Sequence, residues 1–171
     1  MSYHANITMV QYLVQEIMPL VWAKQPEVEL YIVGKDPPQA IRSLEQNPAI
    51  IVTGTVDDLR HYLQQATAAV VPLVYGAGSQ LKLLEAMACG TPVVASTQAI
   101  SALDVCPGQD LLVAQNPEAF AESILSLVRE PKLQQQVGQA GRLYMEKNHH
   151  WASIAQQLEE LYMHALEVKP E

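Results

Sequence analysis

Short apolar runs recur along this chain, and segments with helical spacing separate them. The runs are VELYIVG (28–34), AIIVTG (49–54), TAAVVPLVY (67–75), TPVVAS (91–96) and a weaker LLVA (111–114). Runs without polar alternation suit strands covered on both faces, which is the environment of a parallel sheet. Between them, Pro37 and Pro38 open a helix near 38–46, DDLRHYLQQA (57–66) reads as a helix with Asp57 near its cap, and SQLKLLEAMACG (79–90) as a helix closed by Gly90. Strands joined by helices of this length make βαβ units, so the class is α/β, a doubly wound, mostly parallel sheet with helices on both faces. Everything before residue 115 reads as one such layer. Helices near 117–128, 132–147 and 151–167 form a helical C-terminal extension.

The chain opens on an amphipathic helix over 7–24, with Ile7, Val10, Leu13, Val14, Ile17 and Val21 on one face and Asn6 or Thr8 as cap. A doubly wound unit normally opens with a strand, so either the topology is α-first or a first strand is missing upstream. With 171 residues, 49% hydrophobic and 16% charged, the whole of 1–171 fits one globular domain. Ten basic against eighteen acidic residues give a net charge of −8 with no basic run, which argues against nucleic acid or an anionic membrane as partner. Cys89 and Cys106 lack metal or disulfide spacing, and the start has neither a basic n-region nor an unbroken apolar core. A cytoplasmic location is expected.

The stretch from Pro72 to Pro92, PLVYGAGSQLKLLEAMACGTP, carries the chemistry. A buried strand runs into the turn Gly76-Ala77-Gly78, and a helix starts near Ser79. Such a turn lets the main chain approach a ligand, and the free N–H groups of a first helical turn attract anions. Lys82 and Glu85 share a face of that helix, with Leu81, Leu84 and Ala88 read as its sheet side. Lys82 in the first turn opposes the helix dipole unless an anion sits before it, and Glu85 suits hydroxyls such as a ribose diol. The residues alone leave a plain turn and a solvated Lys82–Glu85 pair equally open. The third glycine of a GxGxxG fingerprint is missing, which disfavours a nicotinamide dehydrogenase.

YIVGKDPP, VTGTVDDLRHYLQQATAAVVPL, LEAMACGTPVV and the terminal HWASIAQQLEELY occur in an order that resembles the C-terminal, donor-binding domain of group 1 glycosyltransferases of the GT-B fold. That resemblance implies a Rossmann-like domain of a retaining enzyme, binding a nucleotide-sugar such as a UDP- or GDP-sugar without metal or other cofactor. It assigns Glu85 to the ribose hydroxyls. The loop Gly76, Ala77, Gly78, Ser79 falls to phosphate and sugar, and Gly54, Thr55 and Val56 to main-chain contacts with the base. Gly34 and Lys35 fall at a strand end facing the same cleft. The first glutamate of the family's usual Glu-x7-Glu pair falls at Ala77, so a carboxylate contact to the donor sugar is put in doubt, and Lys82 is taken to contribute phosphate charge instead. An N-terminal acceptor domain, and the Arg and Lys that usually face the diphosphate, are not in these residues. The isolated chain is thus expected to be inactive, and a membrane periphery would be reached through that other domain. The second reading is a non-catalytic binding or assembly module on the same fold.

Remaining candidates read as structural. His149 and His150, next to Trp151, project about 100° apart on a helix and suit a helix entry better than a metal. His4, His61 and His164 are read as surface residues. Asp57-Asp58 reads as capping before a phosphoacceptor pocket. Cys89 is read as a small buried thiol, its pKa raised at a helix C-terminus. Trp151, Ile154, Leu158, Leu161, Tyr162 and Ala165 form an apolar stripe, read first as core and otherwise as a surface for self-association.

Overall fold

A computed structural model of the protein describes residues 3–76 and 81–167. All five expected strands are present: β1 (Leu30–Val33), β2 (Ile50–Gly54), β3 (Ala69–Val71), β4 (Val93–Ser96) and β5 (Leu112–Ala114). Every pairing is parallel, and helices alternate with the strands, so the doubly wound Rossmann-like α/β class is as expected. The single continuous layer is not. Hydrogen bonding divides the strands into β1–β2 and β3–β4–β5, because β1 and β3 do not pair. β3 is also shorter than the run 67–75: Pro72 brings no N–H to a ladder, and Leu73 N–H donates to Val71 O in a tight turn.

The opening helix comprises α1 (His4–Tyr12), a π-helical turn (Leu13–Ile17) and α2 (Met18–Trp22). Pro19 cannot donate to Gln15 O and its ring crowds that carbonyl, so the helix widens before it, with Met18 N–H reaching back to Leu13 O. Asn6 and Thr8 do not cap this helix. They lie inside it, and its N-cap is Tyr3, with no side-chain bond. Asp58, not Asp57, caps α4 (Leu59–Gln65), accepting from the Arg60 N–H, because Asp58 is the last residue in extended conformation. The Arg60 side chain adds three further bonds, from Nε to both carboxylate oxygens and from Nη2 to Oδ2, and together these hold the Asp58 carboxyl below the usual carboxylate range. The segment after Pro38 is one α turn, α3 (Gln39–Arg42), continued as 3₁₀ helix over Ser43–Gln46.

α5 (Leu81–Ala88) ends at Gly90 as its sequence promised. Gly90 has φ +74°, its N–H donates to Met87 O, and Thr91 N–H reaches Ala86 O, the paired bonds of a Schellman closure. Its buried face is Leu83, Ala86 and Met87. Leu81 and Ala88, expected on the sheet side, are exposed, because the face toward β3 and β4 is rotated by about two residues from the 81–84–88 row.

A short α6 (Thr97–Ile100) follows β4, and α7 (Pro117–Arg129), α8 (Pro131–Asn148) and α9 (Trp151–Glu167) complete the chain. Val93, Val94 and Ala95 of the central β4 are fully buried. One core face joins Ile17 and Val21 of the opening helix to Phe120, Leu125 and Leu127 of α7, and the other joins Leu83 and Met87 of α5 to Tyr144 of α8. α8 meets α5 closely through Gly138, where a Cβ would lie 2.3 Å from Gly90 O, and Gly141, where it would lie 2.8 Å from Asp110 O. The α9 stripe is not core. Trp151 is 83% exposed, and Leu158, Leu161 and Tyr162 are also largely in solvent.

Candidate functional site

In each parallel ladder the carboxyl ends of the strands share one rim, and of the sequence-selected residues Gly34, Lys35, Gly54, Thr55, Val56 and Gly76 end or follow strands at these rims. At the first ladder, Gly34 N–H donates to Gly54 O at 3.2 Å, bringing together the ends of β1 and β2. Gly54 has φ +70°, a conformation that favours glycine, and no atom lies within 4 Å of where a Cβ would stand, so the main chain is open there. Thr55 and Lys35 are exposed and Val56 is half-buried. Asp36, also in this turn, takes φ +50°, which is uncommon for a residue with a side chain.

At the second ladder the turn after β3 is held from three sides. Ser96 Oγ, at the end of β4, donates to Leu73 O at 2.8 Å while capping Ala99 N–H, and Gln98 Nε2 donates to Gly76 O at 2.8 Å. The Tyr75 hydroxyl bonds to His4 Nδ1 and to Thr8 Oγ1 of α1. Gly76 itself has φ +122°, again a glycine conformation. Ala77, Gly78 and Ser79 lie outside the described residues.

Beyond them, α5 presents Lys82 half-buried and Glu85 exposed on one side, while Leu83, Ala86 and Met87 anchor the other. Burial lowers the Lys82 ammonium pKa from its ordinary value. A lysine partly removed from water in the first described turn of a helix is a cation held where a bound anion would lower its free energy. Glu85, fixed on a helix with an anchored back, offers a carboxylate that can accept two hydrogen bonds.

A cavity of about 440 Å³ opens at the carboxyl ends of β3, β4 and β5, lined by Leu73, Val74, Ser96, Thr97, Gln98 and Gln115, with Tyr12 and Phe120 behind them. Sequence reading missed Tyr12, Thr97, Gln98 and Gln115. The usable signal was positional: Thr97, Gln98 and Gln115 each follow a strand whose carboxyl end is a ligand rim. Cys89 is half-buried and its thiol pKa is raised, with burial the largest cause. His149 stands at the end of α8 with its ring against Tyr144, while His4, His61 and His164 are exposed.

A family model described as glycosyl transferases group 1 matches residues 1–130. The chain belongs to this family. Among curated relatives it is 28% identical over 153 residues to a GDP-mannose-dependent mannosyltransferase acting on monoacylated phosphatidylinositol monomannoside in Corynebacterium glutamicum. That match covers 82% of this chain and 40% of the relative. Among solved structures it superposes on sucrose-phosphate synthase from Thermosynechococcus elongatus with TM-score 0.77 and 27% identity, covering 96% of this chain and 44% of that one. The fold also matches a pneumococcal O-GlcNAc transferase in complex with UDP and GlcNAc, with TM-score 0.72 and 17% identity, over 96% of this chain and 34% of that one. This group 1 chain thus spans between about a quarter and two fifths of the length of the curated relatives it matches. Among the described residues, no helix is long and apolar enough to cross a membrane.

Proposed function

We propose that this chain is the donor-binding half of a retaining glycosyltransferase, taking the nucleotide part of a UDP- or GDP-sugar at the rim described above. The observation that carries the reading is the pairing, on one helix of a group 1 family member, of an exposed Glu85 with a half-buried Lys82 directly after the strand-end turn at Gly76. In this reading Glu85 accepts the ribose hydroxyls, and Lys82 together with the turn Gly76, Ala77, Gly78 and Ser79 receives the diphosphate. Gly54, Thr55 and Val56 offer main-chain groups to the base, and Gly34 and Lys35 border the same cleft. Catalysis at such a site lies in stabilising the charge that grows on the departing diphosphate, which preorganised donors and a fixed cation do without reorganisation. The acceptor would be held by a further domain, and turnover needs both.

Titration of UDP, GDP and ADP against the protein by ligand-observed NMR tests this. One of UDP and GDP is expected to bind selectively, and Glu85→Ala to weaken it by roughly 10- to 100-fold, the value of hydrogen bonds to a charged group. Equal affinity of Glu85→Ala and the parent chain would remove the ribose assignment. Binding of none of the three would favour the assembly-module reading.

A further inference from the structure

The cavity over the ends of β3, β4 and β5 has a lining without a charged side chain, and its walls differ in kind. Leu73 and Val74, at the turn after β3, form an apolar wall, with Val74 54% exposed. Thr97 and Gln115, the residues directly after β4 and β5, form a polar one. Both are exposed, and among the described residues neither the Thr97 hydroxyl nor the Gln115 amide has a hydrogen-bond partner. Ser96 and Gln98, on either side of Thr97, are already committed to the carbonyls of Leu73 and Gly76. Thr97 and Gln115 thus bring to the cavity donors and acceptors that the fold does not use.

The back of the cavity lies in a negative field. Burial first, and then the Glu118 and Glu16 carboxylates, raise the pKa of the Tyr12 phenol, and no cation in the lining offsets them. An anionic group is disfavoured there, whereas a phosphate has Lys82 outside the cavity. What the two walls match is a ring that carries hydroxyls at its rim and C–H groups on its faces. Each hydroxyl can exchange bonds with an amide or a hydroxyl, and a C–H face can lie on Leu73 and Val74. At about 440 Å³ the space equals that of about fifteen waters, enough for one such ring. Gln98 supplies the link to the turn assigned to the diphosphate, since it is a wall of the cavity and donates to Gly76 O at 2.8 Å.

We propose that this cavity is the subsite for the sugar of the donor, that the sugar it takes is a neutral pyranose, and that Thr97 and Gln115 are the residues that select it by bonding to its hydroxyls. The inference rests on the donor-binding reading above and extends it from the nucleotide to the group transferred. Selection by neutral polar side chains is sharp in one direction: a ligand without the matching hydroxyl leaves the amide unpaired, and a ligand with a carboxylate in its place brings an uncompensated charge.

Calorimetric titration of the full chain, of Gln115→Ala and of Thr97→Val tests this, with UDP, GDP, UDP-glucose, GDP-mannose and the uronates UDP-glucuronate and GDP-mannuronate as ligands. Neither substitution removes a bond that the fold uses, so both variants are expected to fold as the parent does. For the base that binds, each variant is expected to weaken the neutral sugar nucleotide by about 3- to 10-fold, the value of one hydrogen bond, and to leave the bare nucleotide unchanged. The uronate is expected to bind the parent about tenfold more weakly than the neutral sugar nucleotide and to be unmoved by either substitution. By NMR, the Gln115 side-chain amide resonances are expected to shift with the sugar nucleotide and not with the bare one. Equal losses for nucleotide and sugar nucleotide, or no loss for either, overturn the subsite and leave the donor reading standing. A uronate bound as tightly as the neutral sugar overturns the assignment to a neutral ring. Binding of none of these ligands overturns the donor reading and the subsite together.

Discussion

Gly138→Ala tests how α8 fixes the end of α5. The added Cβ would stand 2.3 Å from Gly90 O, 3.3 Å from Gly90 C and 3.4 Å from the Pro92 ring, so the nearest obstacles are main chain and a fixed ring, not the tip of a mobile side chain. Carbon and carbonyl oxygen need about 3.3 Å, so α8 or the turn 89–92 must retreat by about 1 Å. Overpacking of this kind costs roughly 3 kcal/mol when neither side can yield cheaply, and alanine in place of glycine inside a helix returns about 1 kcal/mol. The net loss is about 2 kcal/mol, a fall in Tm of about 4–8 °C for a chain of this size. Thermal unfolding followed by circular dichroism measures it, with Gln139→Ala, an exposed neighbour on the same turn, as the control that stays within about 1 °C of the parent. A Gly138→Ala protein as stable as the parent would refute the close approach of α8 to Gly90 and the reasoning built on it.

Thr91→Val removes the bond from Thr91 Oγ1 to Leu63 O at 2.7 Å, in a residue only 3% exposed, and leaves that carbonyl with the Ala66 N–H at 3.2 Å as its remaining donor. A loss of about 1 kcal/mol in urea unfolding is expected, with m unchanged. Gln98→Ala releases the Gly76 carbonyl, and at an exposed position is expected to leave Tm nearly unchanged while weakening UDP or GDP binding several-fold by NMR titration. Lys82 supplies the alkaline limit of that binding. Its ammonium is favoured less in the folded chain than in the unfolded one, so a rise in pH neutralises it before an ordinary lysine and nucleotide affinity falls correspondingly early. The Lys82→Met protein is expected to bind more weakly at neutral pH and to lack that early fall. The same depression gives the stability sign: the folded state is penalised below the folded pKa and relieved as pH rises through it.

The strands and the closure of α5 were legible because their causes are local. Val and Ile runs ending in glycine allow little else, and Gly90 sits where a helix needs a left-handed residue. Pro19 was equally visible, yet it did not end the helix. It turned one helical turn into a π-turn, because the bond it cannot donate and the carbonyl its ring crowds lie within a helix that continues on both sides. The choice of Asp58 over Asp57 as cap depended on which residue was last in extended conformation, and the choice of Leu83 over Leu81 as core depended on the sheet's position, neither of which is a local property. At the candidate site Glu85 and Lys82 were readable by spacing. Tyr12, Gln98 and Gln115 were not, because what brings them to one cavity is the convergence of three strand ends and the opening helix.

The chain has two tryptophans, and the fold places them in different surroundings. Trp22 lies half-buried where the clusters beneath the two ladders meet, its ring N–H bonded to Val28 O at 2.8 Å, whereas Trp151 is 83% exposed. The emission of Trp151 is therefore already that of an indole in water in the native protein. Any blue component of the intrinsic fluorescence comes from Trp22, so the colour of the emitted light is an optical readout of the junction between the ladders, separable from unfolding elsewhere without an added label.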